Sequence, residues 1–548
     1  MPNVVDHSAR LDDEAAGSAG RPAPPAGEAL PPRVTRRRFF SAGVTFAAAS
    51  LAGATTVQAQ QGTPPAASEK NSALKDLVRK LLLQPGKPGY DPFKRSAALA
   101  TKGWDSALSR LVRRITNGTT PDEIALARKL GFYGYLNYHL SATKIDDAAA
   151  QGFVSANYPL LTQDANQLYS LDQRLVVDQL VDSTLYRAAW SRRQLYERMV
   201  EFWSDHFNIQ YTEVNYLKAI DDRDVIRKFA LGTFPQLLKA SAHSPAMLEY
   251  LDNTRNRKPN VNQNYAREIM ELHTLGVDGG YTQQDVAELS RVLSGWTMAP
   301  RGAGFVFDPT GHDFGQKVLL GVTIPASNPS VGAAAKAEGD KILDLLVAHP
   351  STAKFISTKM LRWLLRYDPT PAQVSAVATV YLRTKGDIPS MVRAIVTPDN
   401  LVASPAKYRR PFSYITAAIR ATNPQPTKIA TVSQRWMSVV GQPLFAWGPP
   451  DGYPDRADYW AGTTLQRWNF GTYLMTNTGD VPVDVNVFMR TATADGVTTA
   501  IGERLFGGEM PAKLHQQVLA YLGTSQVTPA RVRESVALAL GSQQFQWI

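Results

Sequence analysis

The chain has 548 residues, 44% of them hydrophobic, a formal net charge of +11 and no cysteine. That length supports a large core and more than one structural part. The missing cysteine excludes disulfides, thiolate nucleophiles, iron–sulfur clusters and cysteine-type zinc sites. The positive excess is modest and no nucleic-acid-binding motif accompanies it, so nucleic acid is not an expected partner, whereas anionic envelope material is a partner class the charge allows.

Residues 1–59 read as a twin-arginine signal peptide with a long n-region. Thr35-Arg36-Arg37-Arg38-Phe39-Phe40 has the polar residue, arginine pair and following hydrophobics of that signal, and an Ala/Gly-rich apolar run leads to Val57-Gln58-Ala59, a small-residue cleavage site. The run is too short and too weakly apolar for a membrane span. The expectation is a periplasmic or secreted protein with no transmembrane segment once processed. Residues 60–73, rich in Gln, Pro, Ala and Ser, read as a disordered linker.

From 74 to 300 the apolar period is helical. Thr120-Pro121-Asp122-Glu123 opens a helix with a Thr cap, Pro in the first turn and acids at the positive end. Stretches 168–186, 192–207 and 222–242 place apolar residues three and four apart. Residues 301–335 turn Gly- and Pro-rich, with short β-like runs that predict an irregular insert and a small hairpin. Helical periodicity returns over 336–548, interrupted by the aromatic loop QPLFAWGPPDGYPDRADYWAG at 442–462. The predicted fold is mostly α, a multi-helix protein with two long Gly/Pro/aromatic-rich loops, its parts 74–300 and 336–548 packed as one unit.

Chemistry-bearing residues gather in a few contexts. NYAREIMELHTLG (264–276) sets Glu268 and Glu271 on one helical face and lets Arg267 pair with Glu271. His273 falls about 140° from Glu268 on an α-helical wheel, so a straight helix does not bring Glu268, Glu271 and His273 to one ion. A site assembled from several segments would draw on Asp205 and His206 of FWSDHF, on His273, and on His312 and Asp313 of GHDFG. Imidazoles with one or two carboxylates suit zinc or manganese and leave a coordination position for water. Here His206, His273, His312 and Asp313 are the candidate ligands, and Glu268, Glu271 and His273 the candidate catalytic groups. A metal-free alternative uses paired carboxylates, Glu268 with Glu271 or Asp451, Asp455 and Asp458, on a glycosidic bond. Trp447, Tyr453, Tyr459, Trp460 and Trp468 are then candidates for stacking on sugar rings.

Several of these stretches, in this order, resemble one family: the bacterial domain-of-unknown-function family numbered 1800. The resemblance covers about 108–545 and rests on FWSDHF, HSPAMLEYLDN, PNVNQNYAREIMELHTLGVDGGYTQQDVAELSRVLSGWT, FDPTGHDFGQKVLLG and the 442–462 loop. The loop departs from the family pattern where AWGPPDGYPDRADY stands. The resemblance implies an exported bacterial protein and a partner from a second family, numbered 1501, that resembles sulfatases and alkaline phosphatases; it carries over no catalytic residue. Three functions stand open: a metal-dependent hydrolase of an envelope or extracellular substrate, a metal-free polysaccharide-active enzyme or glycan-binding protein, and a non-catalytic helical partner of an exported enzyme.

Overall fold

The computed structural model describes residues 106–328, 332–523 and 526–548. The signal peptide and linker expected at 1–59 and 60–73 lie outside the described residues. The first described helices are α1 (Ala107–Ile115) and α2 (Pro121–Leu140). Thr120 caps α2, accepting from the Glu123 N–H, and Gly131, at φ 67°, breaks the helix midway. Next come α3 (Gln173–Trp190), α4 (Gln194–His206) and α5 (Phe234–Ala242), the last opened by a Thr233/Gln236 capping box.

The 264–276 stretch is not one straight α-helix. A short α6 (Asn264–Glu268) runs into a π-helical turn, Ile269–Thr274. The Leu275 N–H reaches back to the Met270 carbonyl at 2.8 Å, and the Thr274 hydroxyl donates to the Ile269 carbonyl at 2.6 Å. Gly276, at φ 82°, ends the segment; a Cβ there would stand 2.8 Å from the Phe355 ring.

After α7 (Gln283–Val292) come two small antiparallel sheets, the first starting just ahead of the predicted 301–335 insert and the second inside it. In one, β1 (Trp296–Met298) pairs with β2 (Phe305–Phe307), Trp296 opposite Phe307. In the other, β3 (Lys317–Leu319) pairs with β4 (Val322–Ile324), Lys317 opposite Ile324. The α7 side chains pin the second hairpin: Glu288 accepts from the Val318 N–H (3.2 Å) and Asp285 from the Leu320 N–H (2.7 Å).

Helices resume with α8 (Gly332–Ala348), α9 (Pro350–Leu364) and α10 (Pro371–Thr384). Then come α11 (Pro411–Thr422), α12 (Thr464–Thr476), α13 (Ala494–Phe506) and α14 (Pro529–Gly541). The main packing pairs are α1 on α2, α3 on α11, α5 on α8, α9 on α10, and α12 on α14. Every residue of α11 is buried; most are apolar or small, and Arg420 is buried with Glu123 at 3.1 Å and the Gly118 and Ala189 carbonyls as partners. One apolar cluster takes side chains from Leu111 through to Phe545, and a small second one joins Tyr408, Trp460 and Trp547. The architecture is mostly helical, as the periodicity predicts, with two small hairpins. Among the described residues no helix is long and apolar enough to cross a membrane.

Candidate acid–base site

Helix α4 carries Glu197, Glu201 and Asp205 four residues apart, hence on one stripe. Each carboxylate meets an arginine. Arg227 holds Glu197 at 3.0 Å and Asp222 at 2.7 Å; Arg198 reaches Glu201 at 3.2 Å; Arg410, the residue before Pro411 of α11, reaches Asp205 at 2.6 Å. Exposure rises along the stripe, the three carboxylate side chains being 3%, 10% and 20% exposed. Burial pushes all three carboxyl groups above their ordinary range, against the pull of their arginines. Asp205 is also pulled down by the Tyr453 backbone N–H.

The stripe borders a cavity of about 40 Å³ lined by Glu201, Ser204, Asp205, Asn208, Asp222 and Tyr453, among others. Glu201 Oε1 and Asp222 Oδ1 are buried there with no protein hydrogen-bond partner. A cavity of this size, its wall mostly apolar but holding these two unpartnered acceptors, has room for a water.

The aromatic loop closes over the outer end of the stripe. Gly452, at φ 77°, lies so close to α4 that a Cβ on it would stand 2.2 Å from the Asp205 carbonyl oxygen, so only glycine fits. The Tyr453 hydroxyl donates to the Pro443 carbonyl (2.6 Å), the Trp460 indole to the Pro454 carbonyl (2.7 Å), and the Trp447 indole to Asp451 (2.9 Å). Half-buried Trp447 and exposed Tyr459 stand edge to face, 6.1 Å apart. Trp460 is 1% exposed and offers no ring face, and Trp468 bonds the Gly541 carbonyl at the end of α14 instead. Of the loop aspartates, Asp455 pairs with Lys407 at 2.7 Å and Asp458 with Arg456, while Asp451 lies exposed beside Trp447.

The three histidines predicted as ligands divide into two neighbourhoods. His206 and His273 meet, ring centroids 6.1 Å apart, amid Phe207, Phe234 and Phe355. The His206 Nε2–H donates to the His273 carbonyl at 3.2 Å, an oxygen presented by the π-turn. Burial, with Lys359 nearby, lowers His273 to about 3 and His206 well below its usual value, so both are neutral. Half-buried Lys359, on α9, is lowered to about 8 by burial, against the pull of Asp205 and Asp451. His312 and Asp313 instead sit at the hairpin insert: His312 Nδ1 on the Ser294 carbonyl (2.7 Å), Asp313 on Arg291 (2.8 Å).

Glu268 and Glu271 are half-buried on α6 and the π-turn, and Arg267 bonds Gln283 at 3.1 Å. The predicted Arg267–Glu271 pair is not formed, because the π-turn alters the spacing that would align them. Among the described residues no three His, Asp or Glu side chains are grouped as metal ligands. Sequence reasoning missed Glu201, Arg410 and Lys359. Glu201 carried a readable signal, its four-residue spacing from Asp205. Arg410 carried a weaker one, its place before the helix-opening Pro411. Lys359 carried none, since its neighbours come from distant segments.

A family model described as a protein of unknown function (DUF1800) matches residues 110–547. Comparison with the curated proteins gave no match, and comparison with the solved structures gave none.

Proposed function

We propose, from the premise that this chain belongs to the DUF1800 family, that it is an exported hydrolase cleaving glycosidic bonds of an envelope or extracellular polysaccharide. One observation carries the reading: a single helix face presents Asp205, its carboxyl raised and part-exposed under an aromatic loop, and Glu201, buried against a water-sized cavity. Raised carboxyl groups in one cleft are the signature of acid–base work. In this reading a sugar lies against Trp447 or Tyr459 and presents its glycosidic oxygen to Asp205, which Gly452 and Tyr453 of the same loop touch. Protonated Asp205 gives its proton to that oxygen as the bond to the anomeric carbon breaks. Ionised Glu201 takes a proton from water in the cavity as the water attacks that carbon. Arg410 bonds Asp205 and lies 3.9 Å from Glu201, so it holds both carboxyl groups in place.

The test is release of reducing ends from a panel of bacterial and plant polysaccharides by the purified mature protein. Asp205→Asn and Glu201→Gln are expected to lower the rate by about 10²–10⁴-fold each, with circular dichroism unchanged. Wild-type rates in both variants, or no cleavage across the panel, would overturn the proposal.

A metal-dependent hydrolase keeps one specific support. His206 Nδ1 and His273 Nε2 are buried with no hydrogen-bond partner, and both rings are neutral, as metal ligands must be. Zinc or manganese there needs a further ligand. A thermal shift with either ion that disappears in His273→Gln would favour this reading, and cleavage that survives a chelator would count against it.

A further inference from the structure

Helix α9 sets Phe355, Lys359 and Trp363 four residues apart, hence on one stripe. The two aromatic ends of that stripe lie on the acid–base site. The Phe355 ring stands 6.3 Å from the His206 ring, and His206 follows Asp205 on α4. The Trp363 ring stands 5.8 Å from that of Phe202, with the guanidinium groups of Arg198 and Arg410 4.5 and 5.2 Å from its centroid. Lys359, between them, therefore faces the outer end of the α4 stripe. Its ammonium lies 5.6 Å from the Phe355 centroid, and its carboxylate neighbours are Asp205 and Asp451. Asp451 is the group that accepts from the Trp447 indole. The amine thus borders both the proposed acid and the aromatic loop.

Its charge is not used up. Arg198 and Arg410 each hold a carboxylate, at 3.2 and 2.6 Å, and buried Lys407 holds Asp455 at 2.7 Å. Among the described residues half-buried Lys359 forms no ion pair and no hydrogen bond. Asp451 does not settle the balance. With Asp205 in its acid form, this wall sets the cations Arg198, Arg410 and Lys359 against the carboxylates Glu201 and Asp451 alone. Exposed Arg362, one turn on from Lys359, adds further positive charge. A part-buried ammonium with no carboxylate in contact is placed to receive an anion.

We propose that Lys359 reads a negative charge on the substrate, so that the polysaccharide taken by this site is anionic, with a sugar carboxylate or sulfate group accepting from the Lys359 ammonium. The inference rests on the acid–base reading of Asp205 and Glu201 and adds the substrate's charge to it. A neutral sugar leaves the excess charge of the wall uncompensated, and a cationic amino sugar adds to it. Lys359 determines specificity: it touches the charged group of the substrate, and no bond is made or broken there.

The probes are polygalacturonate and its carboxyl-reduced form, which share a backbone and differ in charge, with dextran sulfate and dextran as the sulfate arm. Binding to the full mature protein is read by affinity electrophoresis, and cleavage by reducing ends. The carboxylated or the sulfated polymer is expected to bind about tenfold or more tightly than its neutral counterpart, and the arm that responds identifies the anionic group. Lys359→Met and Lys359→Gln should both erase that preference, and Lys359→Arg should keep it. Lys354→Met, at an exposed lysine of the same helix outside the stripe, should leave it intact. Equal binding of charged and neutral polymers overturns the proposal. So does a preference that survives Lys359→Met, or one lost equally in Lys354→Met, the mark of general surface charge. Cleavage separates the two readings. Neutral polymers cut as fast as anionic ones sink this inference and leave the Asp205 reading standing. Lys359-dependent binding of an anionic polymer without cleavage sinks the Asp205 reading and leaves charge recognition standing.

Discussion

Asp205 is drawn in opposite directions: burial raises its carboxyl group, while Arg410 and the Tyr453 N–H lower it. Burial wins, so the acid form survives to higher pH than in an ordinary aspartate. Cleavage should therefore fall as pH rises through the raised Asp205 value. Replacing Arg410 with Met removes the downward pull and should shift the alkaline limb of the pH–rate profile upward. It also leaves the Asp205 carboxylate without its ion pair, while Glu201 keeps Arg198, at a cost of about 3–5 kcal/mol in urea unfolding. Lys359 offers a simpler check. At about 8 its amine is roughly half neutral at pH 8, so limiting acetic anhydride should label it ahead of ordinary lysines, as read by peptide mass spectrometry. Lys407 is lowered to a similar value but is 4% exposed and should be spared. His273 makes stability depend on pH. Unfolded, it takes a proton below about 6.5; folded, only near 3. The unfolded state therefore binds more protons across that window, and stability is lost as pH falls through it, by up to about 1.4 kcal/mol per unit. Urea midpoints should drop between pH 7 and pH 5, with a smaller drop in His273→Gln.

At the scale of elements, the Thr120 cap and the helical stretches at 168–186 and 192–207 were legible because capping and apolar spacing are local properties. The π-turn at Ile269–Thr274 was not. Its composition is that of an α-helix, and the change of winding shows only when the Met270 carbonyl chooses the Leu275 N–H. That is why α-helical spacing predicts Arg267 on Glu271 while the side chain stands on Gln283. The aromatic loop was legible as a loop, and the burial of Trp460 was not, since a tryptophan serves a core and a sugar shelf equally well. Gly452→Ala tests how the loop is seated. Its Cβ would strike the Asp205 carbonyl, and its positive φ disfavours alanine. The substitution should cost about 1–3 kcal/mol and reduce polysaccharide cleavage well below wild type, whereas Gly462→Ala, with open space around it, should do neither.

Across the whole molecule, the apolar core draws on both sides of the hairpin insert, from Leu111 to Phe545, and α8 beyond the insert packs on α5 before it. Neither side buries its apolar surface alone. Expressed separately, 106–300 and 336–548 should be insoluble or lack a cooperative melting transition, and co-expression should restore both solubility and transition. The fold class could be read in advance because periodicity reports which faces are apolar. The candidate site could be read only in part: Asp205 and the loop aromatics came from their own contexts, but the partners of Asp205 come from 410 and 453, distances along the chain that no local pattern encodes.

The π-turn has one more consequence, for insertions and deletions. A π-turn holds one residue more than the α-turn it replaces, so removing one residue between Ile269 and Thr274 lets the stretch wind as ordinary α-helix with the chain on either side still in register. An added residue finds that slack already used. A one-residue deletion at Met270 should therefore lower the urea midpoint less than a one-residue insertion at the same place.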